Sequence, residues 1–489
     1  MHSNVSTPVA VAGVAGAGAI LYIGHRLSSS SHSSSSGLPY PPGPPADPII
    51  GHTRYLPRDK HCITHTEWAK QYGPLTFLTA MGRSVLVINS PEVARDLLDK
   101  KGQIYSDRPR SDKGELKGQT EGTTFRPFDA GWKKQRRFLN QVLNPSAVRN
   151  EYYNLQAKRT YQWVLACFDH PEGLDVWPSI KRMSGEIITT LGYGASKEGD
   201  TDFIELNDRL AMTFSDAVAG SISGVFFLLL KSLPTWMPGA QISKEREERR
   251  ELYSRTRDWM FNSVMKAREA GKPRHCYVEK MLSETENGPD PKGDAAAIAA
   301  SAFSLYRAGS ETIAIQIHSF ILAMILFPEI QAKIQQELDA VIGPDRLPTI
   351  ADRESLPYLN ACVLETMRWN PSVNTALPHR LMEDDTYNGY FIPAGTIILV
   401  NIRGISQDPN LFPNPTQFDP TRHLPDSPHP SPIDPRDLIF GYGRRACPGS
   451  HFASQEIWIA AATILWGFSI EKKPGAPEPK PEFDMGIGG

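Results

Sequence analysis

The residue best placed to do chemistry in this 489-residue chain is Cys447. It lies in Phe440-Gly441-Tyr442-Gly443-Arg444-Arg445-Ala446-Cys447-Pro448-Gly449, a glycine-rich loop that leads into a helical pattern from Ser450 onward. A cysteine just before a helix amino terminus meets free amide groups and the positive end of the helix dipole, and both favour a thiolate. The glycines let backbone N–H groups approach the sulfur closely. A single thiolate with that donor shell suits the proximal ligand of a haem iron, because the hydrogen bonds tune how much electron density the sulfur donates. The competing reading is a structural cysteine buried in a tight turn, since free cysteines are commonly inert core residues.

Two further groups stand out by type and spacing. Ala308-Gly309-Ser310-Glu311-Thr312 sits inside a long apolar helical pattern, where a mid-helix glycine costs about 1 kcal/mol against alanine. Gly309 is expected to permit a local widening of the helix where dioxygen could sit. Glu311 and Thr312 supply a carboxylate and a hydroxyl for relaying protons, the general-acid work that O–O cleavage requires. A helix-packing glycine beside ordinary polar residues is the alternative. Glu365 and Arg368 stand at i and i+3 on a predicted helix and can pair, which in isolation reads as a solvated surface pair.

The Cys447 segment resembles the haem-binding signature FxxGxRxCxG of the cytochrome P450 family, with Phe440, Gly443, Arg445, Cys447 and Gly449 at the fixed positions. The resemblance implies haem as cofactor with Cys447 as its axial thiolate. Ala308 to Thr312 resembles the family's oxygen-activation motif. Glu365 and Arg368, with Arg422 in Pro420-Thr421-Arg422-His423, resemble the ExxR and PxRx segments, which implies a structural ion network around the haem core. Trp132-Lys133-Lys134-Gln135-Arg136 resembles the WxxxR helix, so Trp132 and Arg136 would hold a haem propionate. His379 and Arg445 fall where further propionate partners are expected, and a hydrogen-bonded core histidine is the alternative role for His379.

The same resemblance sets the expected activity: a monooxygenase inserting one atom of dioxygen into a small lipophilic molecule, with electrons from NADPH through a reductase. The chain is most similar in style to fungal microsomal members of secondary metabolism. Lys133, Lys134, Arg136, Arg137 and Arg444 form either a docking surface for an acidic electron donor or a merely solvated face. No flavin or nicotinamide fingerprint appears in the chain. Arg307 precedes the Ala-Gly pair, where relatives carry a small or apolar residue, and either meets a polar substrate group or reaches toward water or an internal acid. Val373 to Leu377 and the Gly122 to Phe128 loop resemble substrate-contacting stretches. Val225 to Pro238 reads as a membrane-dipping patch or as plain core.

Two rivals remain open at this level. A haem-thiolate isomerase or dehydratase would need no proton relay, and Glu311 and Thr312 argue against it. A haem-binding protein without turnover would fit the carboxyl end, where Pro481 to Gly489 offers no counterpart of the family's last β-hairpin.

The elements that must position these residues read as mainly α with small β-sheets, in one large haem domain over residues 46–489. Ala295 to Phe327 is a long helix, apolar almost all round, suited to the centre of a large domain. Thr76 to Asn89 reads as two strands about Met81-Gly82, and Tyr390 to Leu399 as another pair about Pro393-Ala394-Gly395. Lys plus Arg total 52 against 54 Asp plus Glu, so no global field points to nucleic acid as a partner. Five scattered cysteines without CxxC pairs suit a reducing compartment better than a disulfide framework. Residues 1–27 contain an uncharged run from Pro8 to Gly24 followed by Arg26, which reads as a membrane anchor shorter than the about 20 residues of a full span, with a cleaved signal peptide or a disordered tail as the competing readings. Positive charge after the run leaves the body in the cytosol, on the endoplasmic reticulum membrane. Residues 28–45 form a Ser-rich and Pro-rich linker.

Overall fold

The computed structural model describes residues 37–481 apart from 49, 58–59, 81, 110–120, 171–174 and 195–240. The expected anchor, the Ser-rich part of the linker, the Val225 to Pro238 patch and the chain beyond residue 481 lie outside the described residues. The longer helices are α1 (His61–Tyr72), α2 (Ala130–Leu143), α3 (Tyr153–Phe168), α4 (Val176–Tyr193), α5 (Gln241–Glu269), α6 (Tyr277–Thr285), α7 (Pro291–Leu326), α8 (Pro328–Val341), α9 (Pro357–Trp369) and α10 (Ser450–Gly467). The strands are β1 (Leu75–Ala80), β2 (Arg83–Ile88), β3 (His379–Arg380), β4 (Asp385–Tyr387), β5 (Tyr390–Ile392) and β6 (Ile397–Val400).

Local chemistry explains why the site-bearing helices start where they do. Asp290 caps α7 by accepting from Gly293 N at 3.1 Å, and Pro291 fills its first turn. Asp129 caps α2 in the same way, accepting from Trp132 N at 2.6 Å. Trp132, Phe138, Leu139 and Val142 bury one face of α2, while Lys133, Arg137 and Asn140 stay exposed on the other. Helix α7 is buried on nearly every side because α4, α2, α6 and α10 all pack against it. Among the described residues it is the one helix long and apolar enough to cross a membrane, and most of its apolar window is buried in the protein, as a core helix should be.

The sheet order is β1-β2-β6-β3, with β2 and β6 parallel (Val85 opposite Ile397, Ile88 opposite Val400). The first expected strand pair is present as β1 and β2, Leu75 opposite Ile88. The second is not a hairpin with itself. β5 pairs with β4 in a separate two-stranded sheet, and β6 crosses to the main one. The Pro393 to Gly395 turn therefore joins two sheets, and all four residues of β6 are buried as a central strand requires.

Candidate active site

Helices α2, α4, α7 and α10, the segment after α9 and the Cys447 loop enclose one cavity of about 250 Å³. The loop is closed by Cys447 N donating to the Phe440 carbonyl at 2.7 Å. Gly443 takes φ +56° and lies so close to the Leu98 carbonyl that a Cβ would stand 2.1 Å from its oxygen, so only glycine seats the loop there. The Cys447 side chain opens onto the cavity. Burial pushes its thiol up, against the Gly449 amide and the Arg136 guanidinium, which pull it down. The helix-start donors are thus present but do not by themselves produce a free thiolate; a bound iron would take the proton's place.

Along one edge of the cavity three guanidiniums converge. Arg445 donates to the carbonyls of Ser106 (2.8 Å), Thr123 (3.3 Å) and Arg126 (2.8 Å) and lies 4.4 Å from the Trp132 ring centroid. Arg136 donates to the Ala446 carbonyl, tying α2 to the Cys447 loop. Arg108 donates to Thr124, Leu377 and Pro378 carbonyls at 3.0, 2.9 and 2.7 Å. Burial and the neighbouring Arg445 push Arg108 well below its ordinary value, and burial brings Arg445 down to about 10. These hydrogen bonds go to neutral carbonyls, and the acids alongside are engaged: Asp107 with Arg380 at 3.0 Å, Asp129 with Arg126 at 2.8 Å. One buried and two half-buried cations so placed favour an added anion, and the two carboxylates of haem fit that need.

His379 also lines this edge, and its Nδ1 donates to the Tyr105 carbonyl at 2.9 Å. Burial, Arg108 and Arg445 hold it down to about 3, so the ring is neutral and its Nε2 is an acceptor. It would bind a propionate only after taking a proton, which the anion itself would favour.

Ala308, Gly309 and Thr312 line the opposite wall, and Val373 and Leu377 complete it with Ile188 and Leu305. The expected widening at Gly309 is absent: α7 runs as regular α-helix from end to end. A Cβ at Gly309 would stand 2.8 Å from Ile188 Cδ1, so the glycine admits α4 instead. The Thr312 hydroxyl donates to the Ala308 carbonyl at 2.7 Å. Glu311 and Arg307 are not among the lining residues. Arg307 is 5.7 Å from the Tyr253 ring centroid and feels the Glu311 charge one turn along, which favours the second of its two readings, reach toward an internal acid, over contact with a substrate.

Below the cavity, Arg368 grips Glu365 with two bonds (2.7 and 2.9 Å) and donates to the Ser406 and Gln417 carbonyls. His423 Nε2 meets the Glu365 carboxylate at 2.9 Å and Asp419 N donates at 3.0 Å. Arg422 stands 3.6 Å from Glu365 and its Nε finds no hydrogen-bond acceptor among the described residues. The network is therefore centred on Glu365, Arg368 and His423, with Arg422 looser than expected. Sequence reasoning missed Arg108 and His423; Arg-Pro after a tyrosine, and the histidine beside Arg422, were the available signals.

On the outer surface of α2, Lys134 is paired with Asp294 at 2.6 Å and Asp290 at 3.3 Å. Lys133 and Arg444 remain exposed about the Phe128 ring, at 5.3 and 6.0 Å from its centroid.

The comparisons with known proteins agree with this geometry. The family model described as Cytochrome P450 matches residues 41–488. A cytochrome P450 monooxygenase of Ampulloclitocybe clavipes is 35% identical over 457 residues, covering 91% of this chain and 83% of its own. One from Postia placenta is 37% identical over 433 residues, covering 87% and 81%. A zebra fish cytochrome P450 solved with abiraterone superposes with a TM-score of 0.72 at 25% identity, over 87% of this chain and 96% of that one. With the thiol, the cationic edge and the buried glutamate network in one fold, the chain belongs to the cytochrome P450 family, as a monooxygenase whose cofactor is haem held by a cysteine thiolate.

Proposed function

We propose that Cys447 is the axial ligand, that Arg108, Arg136, Arg445, Trp132 and His379 hold the haem carboxylates, and that the enzyme oxidises a small lipophilic molecule. The observation that carries this reading is the convergence of Cys447, the buried Arg108 and the half-buried Arg136 and Arg445 on one cavity whose remaining walls are largely apolar. Bound there, haem supplies the chemistry of dioxygen activation. Gly449 and Arg136 steady the sulfur, Arg445 and Trp132 fix the cofactor's edge, and Val373, Leu377, Ile188 and Leu305 exclude water and favour an apolar substrate. Thr312 holds its hydroxyl proton on the Ala308 carbonyl, from which a half-turn of its side chain presents it to the cavity.

Electrons come from NADPH through a reductase that docks on the face carrying Lys133, Arg137 and Arg444, which are exposed and positive beside the Cys447 loop. The amino-terminal run from Pro8 anchors the enzyme to the endoplasmic reticulum membrane with this face in the cytosol. The relatives' fungal origin supports a secondary-metabolite substrate. A carbon monoxide difference spectrum of the reduced, haem-loaded protein tests the central claim. A thiolate-type Soret band that disappears in Cys447→Ser supports it; a band unchanged by that substitution sinks it.

A further inference from the structure

Helix α10 carries one acid in an otherwise apolar run, and Glu456 has no solvent exposure. Its Oε1 accepts from the Ser184 hydroxyl of α4 at 2.9 Å, and its Oε2 has only a long contact, 3.5 Å, from the Gln156 amide of α3. Neither partner is charged, and no cation pairs with Glu456 among the described residues. A carboxylate enclosed in this way without a cation is costly, so the group is a neutral acid at neutral pH. Burial raises it to about 8 even though Ser184 and Gln156 pull it down. Tyr152, whose ring centroid is 6.3 Å from that of Phe452, is the nearby titratable group on the α3 side, and burial pushes it far above this range.

Gln156 does not serve Glu456 alone. Its Nε2 donates to the Phe452 carbonyl at 2.9 Å, and its Oε1 accepts from Gln455, which also donates to the Val148 carbonyl. Phe452 is in the first turn of α10 and lines the cavity beside Cys447. In the same turn Ala453 N bonds the Gly449 carbonyl at 2.9 Å, and the Gly449 amide is the backbone group that pulls the Cys447 thiol down. The acid is thus linked through one amide to the turn that holds the ligand.

We propose that Glu456 is a buried proton switch for the Cys447 loop. As the neutral acid it leaves Gln156 on the Phe452 carbonyl; on losing its proton to solvent it draws Gln156 away and loosens the turn that donates to the sulfur. Glu456 is a positioning residue, and the proposal rests on Cys447 being the iron ligand.

The test is an alkaline titration of the full-length, haem-loaded protein, read by the Soret band of its reduced carbon monoxide complex and by the infrared band of a protonated carboxylic acid. The wild type loses its thiolate-type band reversibly with a midpoint near 8. Glu456→Gln keeps the band through that range and lacks the infrared signal. Ser184→Ala, which removes a donor that favours the charged form, moves the midpoint up by about half a pH unit. Equal midpoints in wild type and Glu456→Gln overturn the proposal, as does the absence of a protonated-acid band at neutral pH. Should Glu456→Gln not fold, an unmoved midpoint in Ser184→Ala overturns it equally. A protein with no thiolate-type band at any pH would overturn the ligand assignment instead, and the infrared titration would still decide the state of Glu456.

Discussion

Glu365 on α9 and Glu456 on α10 lie in helices that pack on one another, and neither side chain reaches solvent. Burial drives both carboxyls upward. At Glu365 the hydrogen bonds from His423 and Arg368 overcome burial and hold the group below its ordinary value. At Glu456 a hydroxyl and a distant amide do not, and the group ends near 8. Equal burial therefore gives opposite charge states, and the partners decide which. One glutamate is a fixed anion that ties Arg368 and the 417–423 segment under the cofactor cavity. The other is a neutral acid that can change state.

The comparison is most easily broken at its charged end. Replacing Arg368 by Met leaves Glu365 as a buried anion with one strong partner fewer, and the Ser406 and Gln417 carbonyls lose their donor. Such a cut should cost about 3–5 kcal/mol, seen as a large drop in thermal stability or as loss of soluble protein. A cost below about 1 kcal/mol would mean that Glu365 is not held as an anion by Arg368.

The neutral end predicts the opposite sign. A carboxyl raised in the fold contributes stability that is present below its unfolded value, 4.5, and is lost as pH climbs through about 8. Each unit inside that window costs ~1.4 kcal/mol, so Glu456→Gln should be at least as stable as the wild type in acid and more stable by on the order of 3 kcal/mol at neutral pH. Glu365→Gln should instead be destabilised at neutral pH, and the wild type's Glu365 contribution should fade only as pH falls below the ordinary glutamate range. Denaturant unfolding of the three proteins across pH checks both limbs. Parallel curves for the two variants would erase the distinction.

A smaller effect is expected at His423. Its bond to Glu365 is a single charge-assisted contact at 2.9 Å, so His423→Ala should cost roughly 1.5–3 kcal/mol. If unfolding midpoints show His423→Ala costing as much as Arg368→Met, the bidentate pair is not the centre of the network.

The contrast also explains what the sequence made legible. Cys447 stands in a spacing whose chemistry is local, a cysteine before a helix. Glu365 and Arg368 could be read as an i,i+3 pair, but the spacing alone suggested a solvated pair, and only the family resemblance implied the buried role they have. The mainly α fold, the long α7 and the β1–β2 hairpin followed from periodicity. Gly309 was misread because its neighbour, Ile188, is on another helix. β6 was misread because its partners, β2 and β3, are not its sequence neighbours. Arg307 was open between two readings until Tyr253 and Glu311 were placed about it. Glu456 did leave a trace, a lone acid within an apolar helix, but its partners Ser184 and Gln156 come from two distant helices and no spacing announces them.

Arg422 offers the finest division of the comparison. Among the described residues its Nε is buried at 3.6 Å from Glu365 without a hydrogen bond, and its Nη2 has one 3.3 Å bond to the Asn414 carbonyl and a loose 3.9 Å pairing with Asp419. The Coulombic gain from Glu365 is therefore set against the desolvation of a donor that no acceptor meets, and the two terms nearly cancel. Arg422→Gln should change stability by no more than about 1 kcal/mol, and its coupling to Glu365→Gln in a double-mutant cycle should be the weakest among Arg368, His423 and Arg422. A coupling as large as that of Arg368 would mean that distance to the carboxylate, and not a completed hydrogen bond, keeps Glu365 ionised. Glu456 would then remain neutral only because no cation stands within that longer reach.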